Sequence, residues 1–297
     1  MQVDRHIGWL GTGRMGTAMA ERLISGGHSL VVWNRTASKT APLVELGATR
    51  ADAIGELSRC DIVFTSVTSS PDLLSVTLGP EGVVSAMTPP GIVVDTSTVS
   101  ADASAEVRSE AARRGIAFIS APISGNPRMV AQGRGSIIAS GPAGAFETVR
   151  PLLEAIAPSV TFGGEGEEAR LVKLAHNLLL GVITEALSEA TTLVEKGGVR
   201  PSAFLEFIDG SVLGSSFIES KGQLIRTRNY EPTFTTENLR KDFDLGLAAA
   251  RALEVPMPAA ATTYHLIQTA VGHGYGQIDY AALYEVAARA AGLDDDR

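Results

Sequence analysis

Three sets of residues in this chain have the types and spacing to do chemistry. The first is Gly11-Thr12-Gly13-Arg14-Met15-Gly16, a GxGxxG set. It follows the apolar run Ile7-Gly8-Trp9-Leu10 and precedes an apolar-periodic segment ending at Gly26-Gly27. The second is Lys173 with Asn177 four residues later, which places both on one face of a helix. The third is Ser124-Gly125 in the segment Ala121-Pro122-Ile123-Ser124-Gly125-Asn126-Pro127. A glycine loop that opens a helix can hold a pyrophosphate on free backbone N–H groups. A lysine in a partly dry cleft can share its proton with a substrate oxygen. A Ser-Gly pair on a strand-end loop can hold a carboxylate on its N–H groups.

Each set has a plainer reading beside the chemical one. Helical lysines more often carry the ammonium to the surface or pair with a carboxylate. Taken alone, Ser124-Gly125-Asn126-Pro127 is an ordinary turn. The glycine set is the most specific, because its context of strand, turn and helix gives every glycine a task. Gly11 makes the tight turn, Gly13 lets a pyrophosphate approach, and Gly16 packs helix on strand. Gly11, Thr12, Gly13, Arg14 and Met15 are therefore candidate dinucleotide contacts.

The elements that must position these residues follow in alternation. A second strand, Leu30-Val31-Val32-Trp33, ends in Asn34-Arg35-Thr36, with Lys39 close behind. An NAD-selective site places Asp or Glu there for the ribose 2′-hydroxyl. An amide, a guanidinium, a hydroxyl and an ammonium instead match a 2′-phosphate, so NADP(H) is preferred, with NAD(H) as the second choice. The competing reading is that Arg35 and Lys39 only decorate a solvated turn. Strands at Asp61–Thr65 and Ile92–Asp95 open into hydroxyl-rich loops, where Val67, Thr68, Ser97 and Thr98 are candidates to line the ribose or the nicotinamide. The same hydroxyls could equally cap the following helices. Further strands are expected at Ile116–Ile119 and Ser136–Ser140.

From about Gly163 to Gly198 the chain reads as one long helix, apolar almost all round and so expected to be buried on most sides. Its longest uncharged run, Leu174 to Thr184, is too short to span a membrane. Beyond it no convincing strand occurs. Helices are expected at Ser202–Asp209, Ser216–Ile225, Thr236–Leu253, Pro258–Val271 and Tyr280–Ala291, the last capped by Asp279. The fold class is thus α/β: an N-terminal Rossmann-type dinucleotide-binding domain (1–163), a long interdomain helix (164–198) and a C-terminal all-α domain (199–297).

Composition narrows the function classes. The 297 residues carry a net charge of −8 with Lys and Arg scattered, which argues against a nucleic-acid partner. The start does not resemble a signal peptide, so the expected location is cytoplasmic, with no membrane partner. Cys60 stands alone, and the histidines lack HExxH or HxH spacing, so no metal is expected. The acidic run Asp294-Asp295-Asp296 carries no arguable role.

The stretches IGWLGTGRMG, VVWNRT, DTSTVS, APISGNP, GEGEEARLVKLAHN and LRKDFDLGLA, in this order over nearly the whole chain, resemble the β-hydroxyacid dehydrogenase family. That family includes 3-hydroxyisobutyrate dehydrogenases and glyoxylate/succinic semialdehyde reductases. The resemblance implies that Lys173 is the catalytic lysine and that Ser124, Gly125 and Asn177 hold a small carboxylic acid substrate. It also implies that Thr98 lies near the nicotinamide, that Lys241 reaches the cofactor or substrate, and that the protein is a homodimer or homotetramer. On the residues alone, Lys241-Asp242 reads as a solvated pair. One departure is clear: many members have Ser-Gly-Gly where this chain has Ser124-Gly125-Asn126, so Asn126 is expected to narrow the pocket or add a polar contact. Two alternatives stand beside hydroxy-acid chemistry. Imine reductases share the architecture but usually lack a lysine at the position of Lys173, and a dinucleotide-binding protein without turnover would need neither Lys173 nor Asn177.

Overall fold

The computed structural model describes residues 6–293, so the acidic run at 294–296 lies outside the described residues. Contacts divide the chain into two units, Met1–Lys173 and Leu174–Arg297, with the division falling inside one helix.

The first unit is a sheet wrapped by helices. In chain order it contains β1 (Ile7–Leu10), α1 (Arg14–Ser25), β2 (Leu30–Trp33), α2 (Ala41–Glu45), β3 (Thr49–Arg50), β4 (Ile62–Thr65) and α3 (Ser70–Leu78). Then follow β5 (Ile92–Asp95), α4 (Ala101–Arg113), β6 (Ala117–Ser120), β7 (Ile123–Ser124), α5 (Pro127–Ala131), β8 (Ser136–Ser140), α6 (Ala143–Ile156) and β9 (Ser159–Gly164). The sheet order is β3-β2-β1-β4-β5-β6-β8-β7, with β9 paired to β8. Strands β3 through β6 are all parallel, whereas β8 runs antiparallel to β6 and β7. The chain reverses its direction of winding between β1 and β4, and ligands bind beyond the carboxyl ends of the strands at such a point.

Period-two side chains build the two faces. Trp9, Ile62, Phe64 and Val94 enter one core with Met19, Leu23 and Phe146. Leu10, Val63 and Val93 enter the other with Leu73, Val107 and Phe118. Trp9 stacks on Phe64 with ring centroids 5.2 Å apart, a contact that adds to the area both rings bury.

The long helix α7 spans Glu168–Lys196. It starts later than the sequence suggests, because Gly163 and Gly164 finish β9 and only Glu168 lies in the helical first turn. Nor is it buried on most sides: Leu171, Val172, Leu179 and Leu193 are exposed. By length and composition α7 is long and apolar enough to cross a membrane. Its buried Asn177, Thr184, Glu185, Ser188, Thr191 and Thr192 instead face protein.

The second unit continues with α8 (Pro201–Asp209), α9 (Ser216–Thr227), α10 (Thr236–Ala252), α11 (Pro258–Gly272) and α12 (Leu283–Ala290). Helices α7 and α10 pack closely because each offers a glycine. A Cβ on Gly246 would lie 2.8 Å from Leu178, and one on Gly181 would lie 2.4 Å from the Phe243 ring. Asp279 caps as expected, but the turn it caps, Tyr280–Ala282, is a 3-10 helix that leads into α12. Its carboxylate also pairs with buried Lys221 at 2.7 Å, a partner the sequence did not indicate.

Candidate active site

The glycine loop links β1 to α1. Gly11 has φ +96°, and a Cβ there would lie 2.1 Å from the Ser66 carbonyl oxygen, so both backbone and space require glycine. A Cβ on Gly16 would lie 2.0 Å from the Gly11 carbonyl oxygen, which fixes how tightly α1 meets the loop. Gly13 is different: its Cβ would meet no atom of the described residues within 4 Å. Glycine at that position faces open space directly at the N-terminus of α1, where no side chain caps the helix. An uncapped helix start beside a bare backbone suits a pyrophosphate, so these residues fit a dinucleotide.

Two of the candidate contacts serve as struts. The Thr12 N–H donates to Asn34 Oδ1 at 2.9 Å, and the Thr12 hydroxyl donates to the Lys39 carbonyl at 2.9 Å. Asn34 Nδ2 donates to the Thr36 carbonyl at 3.0 Å. The loop is thereby strapped to the end of β2, and the Asn34 amide is spent on backbone rather than held ready for a phosphate. Arg35 is 83% exposed and pairs at 3.0 Å with Asp72, in the first turn of α3. Asp72 is itself held by the Ser69 hydroxyl at 2.7 Å. Lys39 is exposed.

The loops after β4 and β5 are organised by one buried carboxylate. Asp95 Oδ1 accepts from the Thr65 hydroxyl (2.7 Å), the Ser97 hydroxyl (2.6 Å) and the Ser97 N–H (3.2 Å). Ser97 Oγ in turn accepts from the Val67 N–H at 2.9 Å. Ser97 is buried and ties the two loops together, while Val67 and Thr98 are half-buried and Thr68 is exposed. On its other oxygen Asp95 meets Arg170, which also donates to the Ser97 carbonyl and, at 3.1 Å, to Ser104 Oγ. Arg170 lies in the turn before Lys173, so the start of α7 is joined to the strand ends within the first unit. A second pair, Arg108 Nε to Glu167 Oε1 at 2.6 Å, holds the same region.

Ser124 closes β7, and Gly125 follows with φ +132°. Asn126 does not act as a loose polar group here. It is the N-cap of α5, with Oδ1 accepting from the Met129 N–H at 2.9 Å, so the side chain that replaces a glycine is committed to its own helix.

In the second unit, Asn177 is buried one turn beyond Lys173 on α7. Its Nδ2 donates to Asp242 Oδ2 at 2.5 Å, and its Oδ1 lies 3.0 Å from His176 Nδ1. Asp242 is 1% exposed and pairs at 3.2 Å with Lys241, which is itself 34% exposed, so the solvated reading of the pair fails for the carboxylate. Sequence reasoning assigned no role to Asp95 or Arg170 and read Asp242 as solvated. The available signal was an acid ending an apolar strand and charges inside apolar helices.

Fold and loop together define a dinucleotide-binding α/β unit followed by a helical unit. Residues 6–164 match the family described as the NAD binding domain of 6-phosphogluconate dehydrogenase. Residues 167–287 match the NAD-binding domain of NADP-dependent 3-hydroxyisobutyrate dehydrogenase. The chain belongs to the β-hydroxyacid dehydrogenase family of NAD(P)-dependent oxidoreductases. It is 32% identical over 280 residues to the uncharacterized oxidoreductase YfjR of Bacillus subtilis, covering 93% of this chain and 98% of that one. It is also 32% identical to the cytokine-like nuclear factor N-PAC of Mus musculus, where it spans about half of the relative's length (50%) and 95% of its own. Among solved structures, 3-hydroxyisobutyrate dehydrogenase from Salmonella typhimurium superposes with a TM-score of 0.86 at 26% identity, covering 95% of this chain and 100% of that one.

Proposed function

We propose that this chain is an NADP(H)-preferring oxidoreductase that interconverts a small β-hydroxy acid and its semialdehyde or keto acid, with Lys173 as general acid and base. The observation that carries the reading is the buried Asn177, held by Asp242 one helical turn beyond Lys173. A fixed, desolvated amide on the lysine's face of α7 is what orienting a proton donor or a substrate oxygen requires.

Gly11, Gly13 and the first-turn N–H groups of Arg14 and Met15 would hold the pyrophosphate, on a loop shaped by Thr12 and Asn34. Arg35, Thr36 and Lys39 supply the cationic and hydroxyl groups for a 2′-phosphate; NAD(H) is the weaker partner. Val67, Thr68 and Thr98 border the nicotinamide end, with Ser97 holding their loops in place. When bound, the cofactor supplies or removes a hydride at the substrate carbon. Lys173 gives a proton to the developing alkoxide in reduction and takes it back in oxidation. Ser124 and Gly125 anchor the substrate carboxylate, and Asn126 shapes their loop as a helix cap. The family resemblance adds Lys241 as a further cation for cofactor or substrate. It also adds a homodimer or homotetramer, which the exposed apolar residues of α7 favour. The location proposed with this reading is cytoplasmic.

The test is NADPH oxidation against glyoxylate, succinic semialdehyde, other small keto acids and one cyclic imine, with native protein and Lys173→Ala. Turnover of an aldehyde acid that Lys173→Ala abolishes, with NADPH binding kept, is the expected result. Reduction of the imine alone, insensitive to Lys173→Ala, would make the protein an imine reductase. NADPH binding without any turnover would make it a non-catalytic dinucleotide-binding protein.

A further inference from the structure

We infer that Arg170 is a positioning residue that sets the register of Lys173 against the strand-end loop Thr96-Ser97-Thr98, through its buried pair with Asp95. The inference rests on Lys173 being the proton donor proposed above. Arg170 is 1% exposed and Asp95 is 0% exposed, so neither charge is there for solubility. Each guanidinium nitrogen has its own protein acceptor: Asp95 Oδ2, the Ser97 carbonyl and Ser104 Oγ. Those acceptors come from the end of β5, the loop after it and the first turn of α4. Through Asp95 Oδ1 and Ser97 Oγ the same network reaches Thr65 at the end of β4 and Val67 beyond it. One side chain thus gathers the two loops proposed to border the nicotinamide and joins them to α7. Lys173 follows Arg170 by three residues, about 4.5 Å along the helix axis.

A buried ion pair is a poor way to gain stability, since well-packed apolar residues of similar volume often do as well or better. What it does provide is direction. The planar fork of an arginine accepts one arrangement of its acceptors, and a lysine cannot reproduce it. The start of α7 also has a separate anchor. Arg108 holds Glu167 at 2.6 Å while donating to the Phe118 carbonyl at 3.1 Å and to Ser120 Oγ at 3.3 Å. Loss of the Arg170 fork therefore leaves the helix attached and changes its register.

The experiment measures kcat, KM, NADPH affinity and melting temperature for native protein, Arg170→Gln, Arg170→Lys, Ser104→Ala and Lys173→Ala, with glyoxylate and succinic semialdehyde as substrates. Arg170→Gln is expected to lower kcat about 100-fold, the scale of a displacement near 1 Å at a reacting centre, while NADPH affinity changes by less than threefold. Arg170→Lys is expected to restore the melting temperature but not kcat, a separation that a merely structural role does not produce. Ser104→Ala, which removes a single acceptor, is expected to lower kcat with the fold intact and keeps the test open if Arg170→Gln fails to fold. The inference is overturned if folded Arg170→Gln or Ser104→Ala keeps native kcat, or if kcat and melting temperature recover together in Arg170→Lys. If Lys173→Ala itself retains turnover, the reading of Lys173 fails instead, whatever Arg170 does.

Discussion

The amide of Asn177 donates to the carboxylate of Asp242 at 2.5 Å, and both side chains are buried in the helical unit. Asp242→Ala would leave that amide without its acceptor in a desolvated place. A loss of about 1–3 kcal/mol in unfolding free energy is expected, read by urea titration, with a fall in kcat/KM on the same protein. Asp242→Asn preserves shape and should recover most of the stability. An alanine variant as stable and as active as the native protein would remove Asp242 from the site.

Two of the loop glycines, Gly16 and Gly13, separate folding from binding. Gly16→Ala forces a methyl against the Gly11 carbonyl, so it is expected to unfold the first unit or lower its melting temperature sharply. Gly13→Ala meets no atom of the described residues and should melt within a few degrees of native, yet bind NADPH more than about tenfold less tightly because the added methyl occupies the space proposed for phosphate. Equal NADPH affinity in folded Gly13→Ala would contradict the placement.

Asp72 competes for the cation that is proposed to read the 2′-phosphate, since it pairs with Arg35 at 3.0 Å. Asp72→Asn should lower KM for NADPH several-fold while leaving KM for NADH nearly unchanged, because only the former gains a freed guanidinium. Parallel changes in both constants would show that Arg35 does not discriminate.

Burial, and then the nearby charge of Glu189, push the Glu185 carboxyl up from 4.5 to about 7. Among the described residues its Oε2 has no hydrogen-bond partner. The folded protein holds this proton more tightly than the unfolded chain, so the contribution is whole below pH 4.5 and is lost as pH rises through about 7. The loss amounts to about 3 kcal/mol at full burial. Glu185→Gln should therefore gain stability over native protein as pH goes from 5 to 8. A difference independent of pH would show that Glu185 does not titrate there.

Val172, Leu179 and Leu193 are exposed on α7 at intervals of one and two heptads. That spacing suits a second long helix, so Leu179→Glu should shift the sedimentation of the proposed oligomer toward a monomer. If Leu179→Glu sediments as the native protein does, this face is not the interface.

Local physics decided what was legible in the sequence. The strands at Leu30–Trp33, Ile92–Asp95 and Ser136–Ser140 follow from runs of apolar and β-branched residues, and the GxGxxG loop from steric demands confined to a few residues. The later helices follow from period and caps, as Thr235 shows by accepting from the Asn238 N–H. Errors fell where local signals were ambiguous. Gly163 and Gly164 punctuate a strand rather than a helix, and apolar residues on α7 that read as core include several at the surface.

The sequence by itself determined the six strands β1, β2, β4, β5, β6 and β8, the glycine loop and the positions of Lys173 and Asn177 on one helix, because helical and strand periods and backbone sterics act over a few residues, whereas β3, β7 and β9 needed the folded sheet to define them. Tertiary structure alone decided which charge meets which. Arg170 finds Asp95 across 75 residues, Asn177 finds Asp242 across 65, and Lys221 finds Asp279 across 58. No local rule distinguishes those carboxylates from the others in the chain. Only packing, by removing water from particular pairs, makes one partner obligatory.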